Sequence, residues 1–326
     1  MSAGWRPPGG ESGLVMGAST REAYGDALVE LGRERPEVVV LDADLSASTQ
    51  TRKFARVFPE RFFNAGIAEQ NMVGMAAGLA LAGKLPFASS FAVFLPGRCY
   101  DQVRLAICYQ DLAVKLVATH GGITVGEDGA SHQALEDLAL ARALPNLTVL
   151  VPADAVEARQ ATLAAADWPG PVYLRLGRPA VPALFEDGHR LVIGRAQTLL
   201  EGADVTLAAC GIMLSRALDA AAELAAEGVS AAVMNVSTLK PLDTVALVEA
   251  ARRTGALVTA EEHSVIGGLG SAVAEVLAEH YPVPVIRVGV EDRFGKSGPP
   301  GELMEHFGLT ATAIARAARQ ALARKR

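Results

Sequence analysis

Residues 37–44 read EVVVLDAD: an acid, four consecutive apolar residues, then two aspartates around an alanine. A strand wet on one face alternates apolar and polar residues, whereas a strand covered on both faces reads as an unbroken apolar run. The run therefore predicts a buried parallel strand with aspartates at its carboxyl end. LPFASSF (85–91), AVKLVAT (113–119), LTVLV (147–151) and VYLRL (172–176) extend the reading outward as further candidate strands. Alanine-rich stretches between them have helical character: residues 67–82, 100–109, 132–143 and 154–166, the last with Asp154 as a candidate N-cap. This alternation gives an α/β fold, a mostly parallel sheet with helices on both faces, three layers in all. Residues 179–195, with prolines and EDGH, read as a linker. A second alternation follows in DVTLAAC (204–210), SAAVMNV (230–236), GALVTAEE (255–262) and VPVIRV (283–288). The expected organisation is a loose tail over 1–13, a three-layer domain over 14–185 and a smaller three-layer domain over 186–326.

Composition narrows the partners. Of 326 residues half are hydrophobic and 20% charged, with a formal net charge of −6 and both signs interspersed. That is enough apolar chain for large cores, and no basic stripe points to nucleic acid or a membrane surface. The most apolar stretch, 72–83, stops at Lys84, short of the roughly 20 residues that span a bilayer. The opening residues lack the apolar core of a signal peptide. Cys99, Cys108 and Cys210 are scattered without metal spacing and read as buried free thiols of a cytoplasmic protein.

In open α/β sheets ligands sit at the carboxyl ends of the strands. Asp42, Asp44, Phe91, Phe94, His120, Arg175 and Arg178 all fall at or just beyond such ends. Two motifs stand out beside them. FFNAGIAEQNMVGMAAGLALAG (62–83) carries Glu69 in a setting poor in charge, where an acid serves either chemistry or simply the first turn of a helix. ATHGGITVGEDGASHQALEDLA (118–139) gathers His120, Glu127, Asp128 and His132 around glycines that let backbone approach a ligand. The same loop also reads as a plain turn capped by Ser131. HExxH spacing for a metal and a GxSxG elbow for a hydrolase are both missing. GGLGSAV (267–273) has Val273 where a dinucleotide fingerprint has its last glycine, and reads as a tight helix–sheet turn.

Taken together, these segments resemble the C-terminal section of transketolase, from about Ser19 to the end of the chain. GIAEQNM (66–72) resembles the family's catalytic-glutamate segment, ATHGGITVGEDGASHQ (118–133) its donor-sugar loop, DADLSAS (42–48) a segment that reaches the active site across the dimer, and RFGKSGPP (293–300) a late motif of the C-terminal domain. The resemblance implies a pyrimidine-binding domain followed by a transketolase C-terminal domain. It implies thiamine diphosphate as cofactor, with Glu69 catalytic against the aminopyrimidine and Asp44, Ile67, Phe91 and Phe94 lining its place; Tyr100 is a third aromatic that could stack there. Arg21, Ser48, His120 and Arg178 match its sugar-phosphate positions, and Asp128 and His132 its ketose-hydroxyl positions, with His132 also catalytic. Lys296 departs from the family's pattern, which has an acid. The GDG segment that holds the cofactor diphosphate and its Mg2+ or Ca2+ is absent from this sequence. The resemblance is therefore to the second subunit of a split transketolase of the pentose phosphate pathway, completed as α2β2 around a homodimer core by an N-terminal subunit that carries GDG. The competing expectations are the β subunit of a 2-oxoacid dehydrogenase, a 1-deoxyxylulose-5-phosphate synthase-like enzyme, and a non-catalytic scaffold that would have no use for Glu69 and Asp128.

Overall fold

The structure, a computed structural model, describes residues 14–325, so the expected tail lies outside the described residues. Its strands in chain order are β1 (Met16–Ser19), β2 (Val38–Asp42), β3 (Phe62–Asn64), β4 (Leu85–Phe91), β5 (Lys115–Thr119), β6 (Thr148–Leu150), β7 (Val172–Arg175), β8 (Ala180–Pro182), β9 (Gln197–Leu200), β10 (Val205–Ala209), β11 (Ala231–Asn235), β12 (Thr238–Lys240), β13 (Leu257–Ser264) and β14 (Val285–Val290). Seven form one sheet in the order β12-β6-β7-β5-β4-β2-β3, parallel throughout except where β12 meets β6. Five form a second sheet, β14-β13-β10-β11-β9, with only β9 antiparallel.

Every residue of β2, β4, β5 and β7 is buried, as the continuous apolar runs predict. The helices Thr20–Glu34 and Ala155–Asp167 cover one face of the first sheet through Tyr24, Leu28, Ala158 and Ala161. On its other face Val39, Leu41, Leu116 and Val149 join Ala208, Met234, Leu257 and Leu269 of the second half in a single apolar cluster. The two sheets therefore share a core. The second half also gives the first sheet its edge, β12. Lys115, fully buried at the start of β5, donates from Nζ to the carbonyls of Trp168 and Gly170, 2.7 Å each, and burial pushes it down to about 7.

Two expectations need correction. Residues 179–195 are not a loose linker. Ala180–Pro182 pairs with β1, and Leu184, Phe185 and His189 are buried. Asp154 is the N-cap that the sequence predicts, accepting from Glu157 N (2.8 Å), but its other oxygen also accepts from the amides of Leu184 and Phe185 (2.8 Å each) and pins the segment down. The helix expected over 132–143 spans only Asp137–Ala143, and Ser131 caps nothing: its hydroxyl lies 2.9 Å from His132 Nδ1. Gln133 and Ala134 are held instead by bonds to distant backbone, Ala134 by a bridge to Gly121. The helix expected over 100–109 is present over 100–108, as a short α turn, Tyr100–Gln102, that continues as π-helix over Val103–Cys108. All three cysteines are buried free thiols, and burial pushes those of Cys99 and Cys108 up to about 12. No helix among the described residues is long and apolar enough to cross a membrane.

Candidate active site

The parallel order of β2, β3, β4, β5 and β7 turns their carboxyl ends to one edge of the sheet, and the polar motifs converge there. Asp42, at the end of β2, accepts from Leu45 N (2.5 Å), Thr49 Oγ1 (2.7 Å) and Thr51 Oγ1 (2.8 Å), which folds the DADLSAS turn around it. Burial raises its pKa, and those bonds oppose the rise. Asp42 is thus a buried structural acid. Asp44 projects from the turn at φ 64° and is held by Asn64: Asp44 N donates to Asn64 Oδ1 (3.1 Å), and Asn64 Nδ2 donates to Asp44 Oδ1 (3.0 Å). Asn64 Oδ1 also accepts from Gly66 N (3.0 Å), which ties this turn to the loop that carries Ile67, 79% exposed, and then Glu69. The FFN triplet contains Asn64, but no periodicity marks it as a tie between the two motifs.

Glu69 opens the helix Glu69–Leu81 and is 4% exposed. Its Oε1 accepts from Arg98 Nη1 at 3.0 Å. The Arg98 guanidinium lies 3.9 Å from the centre of the Phe94 ring, a cation–π stack. Gln70 fixes the same turn by donating to Arg98 O (2.9 Å). Reading the sequence overlooks Arg98, which ends LPGR (95–98) just beyond Phe94. A lone arginine beyond a proline carries no periodic signal, and only the fold brings it to Glu69.

Phe91 and Phe94 stack at 5.9 Å, and Phe91 stacks on His120 at 3.8 Å. His132 meets both phenylalanines edge-on. His120 stands at φ 60°, a strained backbone for a non-glycine residue and one that often marks a functional site. Its Nδ1 lies 2.9 Å from Thr119 Oγ1, and burial, with the charges of Arg21 and Arg178, pushes its pKa down to about 3. It is a neutral ring in this site.

The β1–β8 ribbon explains how Arg21 reaches Arg178. Ser19 pairs with Ala180, and Thr20 Oγ1 accepts from Gly177 N (2.8 Å), so the first turn of the helix Thr20–Glu34 sits against the end of β7. A capping box between Ser19 and Glu22 fixes that turn. Arg21 donates to Ser48 O (2.8 Å) and Arg178 O (3.1 Å). Arg178 donates to Val125 O and Asp128 Oδ2 (3.5 Å), with Glu127 at 3.8 Å. Burial and then Arg178 lower the Arg21 pKa, so two cations face one cleft, lined by Ser19, Arg21, Glu127, Arg178 and Pro300. Arg175 is a different case. Fully enclosed, it is bonded to Asp137 (2.8 Å), Glu262 O (2.9 Å) and Ala134 O (3.2 Å), and it serves the fold.

The structure thus gathers Arg21, Ser48, His120, Asp128 and Arg178 into one cluster and joins it through Phe91, Phe94 and His132 to Glu69. Asp44 and Ile67 lie on the Asn64 side. Tyr100 turns away, donating its hydroxyl to Leu140 O (3.3 Å). Among the described residues no group of three or more His, Cys, Asp or Glu is arranged to hold a metal ion. GGLGSAV is a helix–sheet turn, with Leu269 N and Gly270 N donating to Glu261 at 2.7 and 2.8 Å.

A parallel α/β sheet with a buried acid, an aromatic wall and paired arginines at its carboxyl edge defines a ligand site of the kind that open α/β enzymes build. Residues 16–183 match the pyrimidine binding domain of transketolase and residues 194–314 the transketolase C-terminal domain: the chain belongs to the transketolase family. It is similar to a solved split-gene transketolase described as an inactive β4 tetramer, with a TM-score of 0.90 and 59% identity, over 95% of this chain and 100% of that one. It is 46% identical to the 6-deoxy-6-sulfo-D-fructose transketolase subunit of Clostridium sp. (strain MSTE9), over 94% of this chain and 95% of the relative. It is 42% identical to 1-deoxy-D-xylulose-5-phosphate synthase 1 of Geobacter sulfurreducens, over 94% of this chain but 49% of that longer protein.

Proposed function

We propose that this chain is the C-terminal subunit of a two-subunit transketolase that transfers a two-carbon ketol unit between sugar phosphates. The observation that carries the reading is the joining of two half-sites: the buried Glu69, linked through Arg98 to the Phe94 ring, and the Arg21–Arg178 cluster reached through Phe91 and His120. A buried carboxylate joined through Arg98 to an aromatic wall suits an aminopyrimidine, so the residues present fit that half of thiamine diphosphate. When bound, the cofactor supplies a C2 carbanion and an electron sink. Glu69 would accept a hydrogen bond from the pyrimidine and hold its proton there. Phe91 and Phe94 would orient the ring and exclude water, with Asp44 and Ile67 at the margin. Arg21 and Arg178, with Ser48 and His120, would bind the phosphate, since a guanidinium fork pairs bidentately with phosphate. Asp128 and His132 would receive the ketose hydroxyls, and His132 would also move a proton at the reacting centre. The metal, Mg2+ or Ca2+, and the diphosphate would be held by the separate N-terminal subunit.

The split-gene transketolase and the transketolase subunit, each matched over nearly its whole length, support this division of labour. The test mixes purified chain with its N-terminal subunit, thiamine diphosphate and Mg2+, and follows ketol transfer from a ketose phosphate to an aldose phosphate. Turnover only in the mixture is expected. A pair that condenses pyruvate with an aldose phosphate and transfers no ketol would favour the synthase reading, which the half-length match keeps in play.

A further inference from the structure

The motif GEDGASHQ ends on Gln133, a side chain that the mechanism above does not use. Gln133 is 3% exposed, and its Nε2 donates to Ile123 O (3.1 Å), Gly126 O (3.4 Å) and Lys296 O (2.9 Å). Three carbonyls surround that end of the amide, and only an NH2 group satisfies acceptors alone. The other end, Oε1, is buried without a hydrogen-bond partner and faces residue 295, where a Cβ would come within 1.8 Å of it and push the amide aside. The same segment presses on the loop again at Gly129, where a Cβ would lie 2.3 Å from Ser297 Oγ. Glu262, also of the second half, accepts from Thr124 N at 2.7 Å. The loop 123–129 is therefore held on one side by Arg178 and on the other by the second half of the chain. Lys296, remote from the chemistry in sequence, gives its carbonyl to this grip.

We propose that Gln133 is a positioning residue, which locks the loop bearing Asp128 and His132 to residues 295–297 and so lets the C-terminal domain set the affinity for the hydroxylated part of the sugar. This rests on the ketol-transfer reading. A loop clamped in one place aims Asp128 and His132 without an ordering cost when the sugar binds. A loop freed at Gln133 must be ordered by the sugar itself.

The test uses Gln133→Glu, which keeps the shape but turns an oxygen toward three carbonyls, and Gly295→Ala, which crowds the same amide from the other domain. In the reconstituted enzyme both variants should raise KM for a ketose phosphate about tenfold, the scale of one buried hydrogen bond, with kcat kept within about twofold. Hydroxypyruvate, which has no hydroxylated chain beyond its ketol unit, depends on His132 but not on Asp128 and should lose less kcat/KM than the ketose phosphate. Equal losses for both donors, or no loss for either, would overturn the proposal. Hydrogen exchange of the variant chains decides the anchoring separately: backbone amides of residues 123–132 should exchange about tenfold faster, with the rest unchanged, and unaltered exchange there overturns it. If the wild-type pair turns over no ketose phosphate, the ketol-transfer reading fails, while the exchange measurement still decides whether Gln133 anchors the loop.

Discussion

Arg178 is where the charge of the site can be tested most directly. Its guanidinium is partly exposed and already shared with Asp128 and the carbonyl of Val125, so a phosphate would join a preformed network. A charge-assisted hydrogen bond is worth roughly 1.5–3 kcal/mol. Arg178→Ala should therefore lower kcat/KM for a phosphorylated ketose about 10- to 100-fold and leave hydroxypyruvate, which has no phosphate, nearly unchanged. Equal losses would mean that Arg178 only braces the loop. Glu69→Gln should lower the rate with both donors, because the pyrimidine contact is common to them; a loss confined to one donor would exclude that role. His120 makes a prediction about pH. Its folded pKa is pushed down to about 3, against about 6.5 for an unperturbed histidine. Below pH 6.5 the unfolded chain takes up a proton that the folded chain refuses, so this contribution to stability is lost progressively as pH falls from about 6.5 toward 3. His120→Gln removes the titration, and the urea midpoint of that variant should fall less between pH 7 and 4.5 than the wild-type midpoint. Parallel falls would show that His120 is not the group responsible.

At the scale of elements, the strands covered on both faces were legible in the sequence and the three-residue edge strands were not. Four strands of the first sheet read as apolar runs because helices or the second half cover both faces. Phe62–Asn64 and Thr238–Lys240 are three residues each and sit at sheet edges, where a period cannot develop. The helix over 132–143 was expected too long because the spacing of its apolar residues is local, whereas the bonds that hold Gln133 out of the helix go to residues up to 163 positions away. The candidate site shows the same limit. Residues within continuous motifs, such as Glu69, His120 and Asp128, could be singled out in advance. Arg98 and Asn64 could not, since their partners are set by strand order. The segment after β7 was read as a linker for a related reason: its anchor, Asp154, lies 30 residues upstream. Asp154→Ala would remove an N-cap worth about 1 kcal/mol and leave two buried amides unpaired at about 1–3 kcal/mol each, so a loss of about 3 kcal/mol or more is expected in urea unfolding. A loss below about 1 kcal/mol would show that residues 184 and 185 find other partners.

Among the described residues of the whole molecule one helical face has no partner, and its composition argues for assembly. On the helix Glu69–Leu81, Gly74 and Gly78 lie one turn apart on the exposed side, and a Cβ at either position would meet nothing within 4 Å. Glycine inside a helix costs roughly 1 kcal/mol relative to alanine, and no contact among the described residues accounts for the pair. Half-buried Met75 and Leu79 share the helix, Leu81 is 66% exposed, and Tyr109, just beyond the π-helix that packs on it, is 82% exposed. Apolar surface around small residues is what a close helix–helix contact between subunits requires. On the proposed function, the chain alone should therefore form a homodimer or a larger closed assembly without ketol transfer, and should become α2β2 with the N-terminal subunit. Gly78→Glu tests the face. The monomer fold should tolerate it, because the side chain enters open space and the helix propensity improves, so the circular dichroism spectrum should be unchanged. Two facing carboxylates would, however, be buried in a symmetric contact, at a cost of several kcal/mol per unpaired charge. Light scattering should then report the mass of one chain, and the mixture with the N-terminal subunit should lose activity. An unchanged mass for Gly78→Glu would place the contact on another surface, and a wild-type chain that runs as a monomer at all concentrations would remove the homodimer core from the proposed α2β2 assembly.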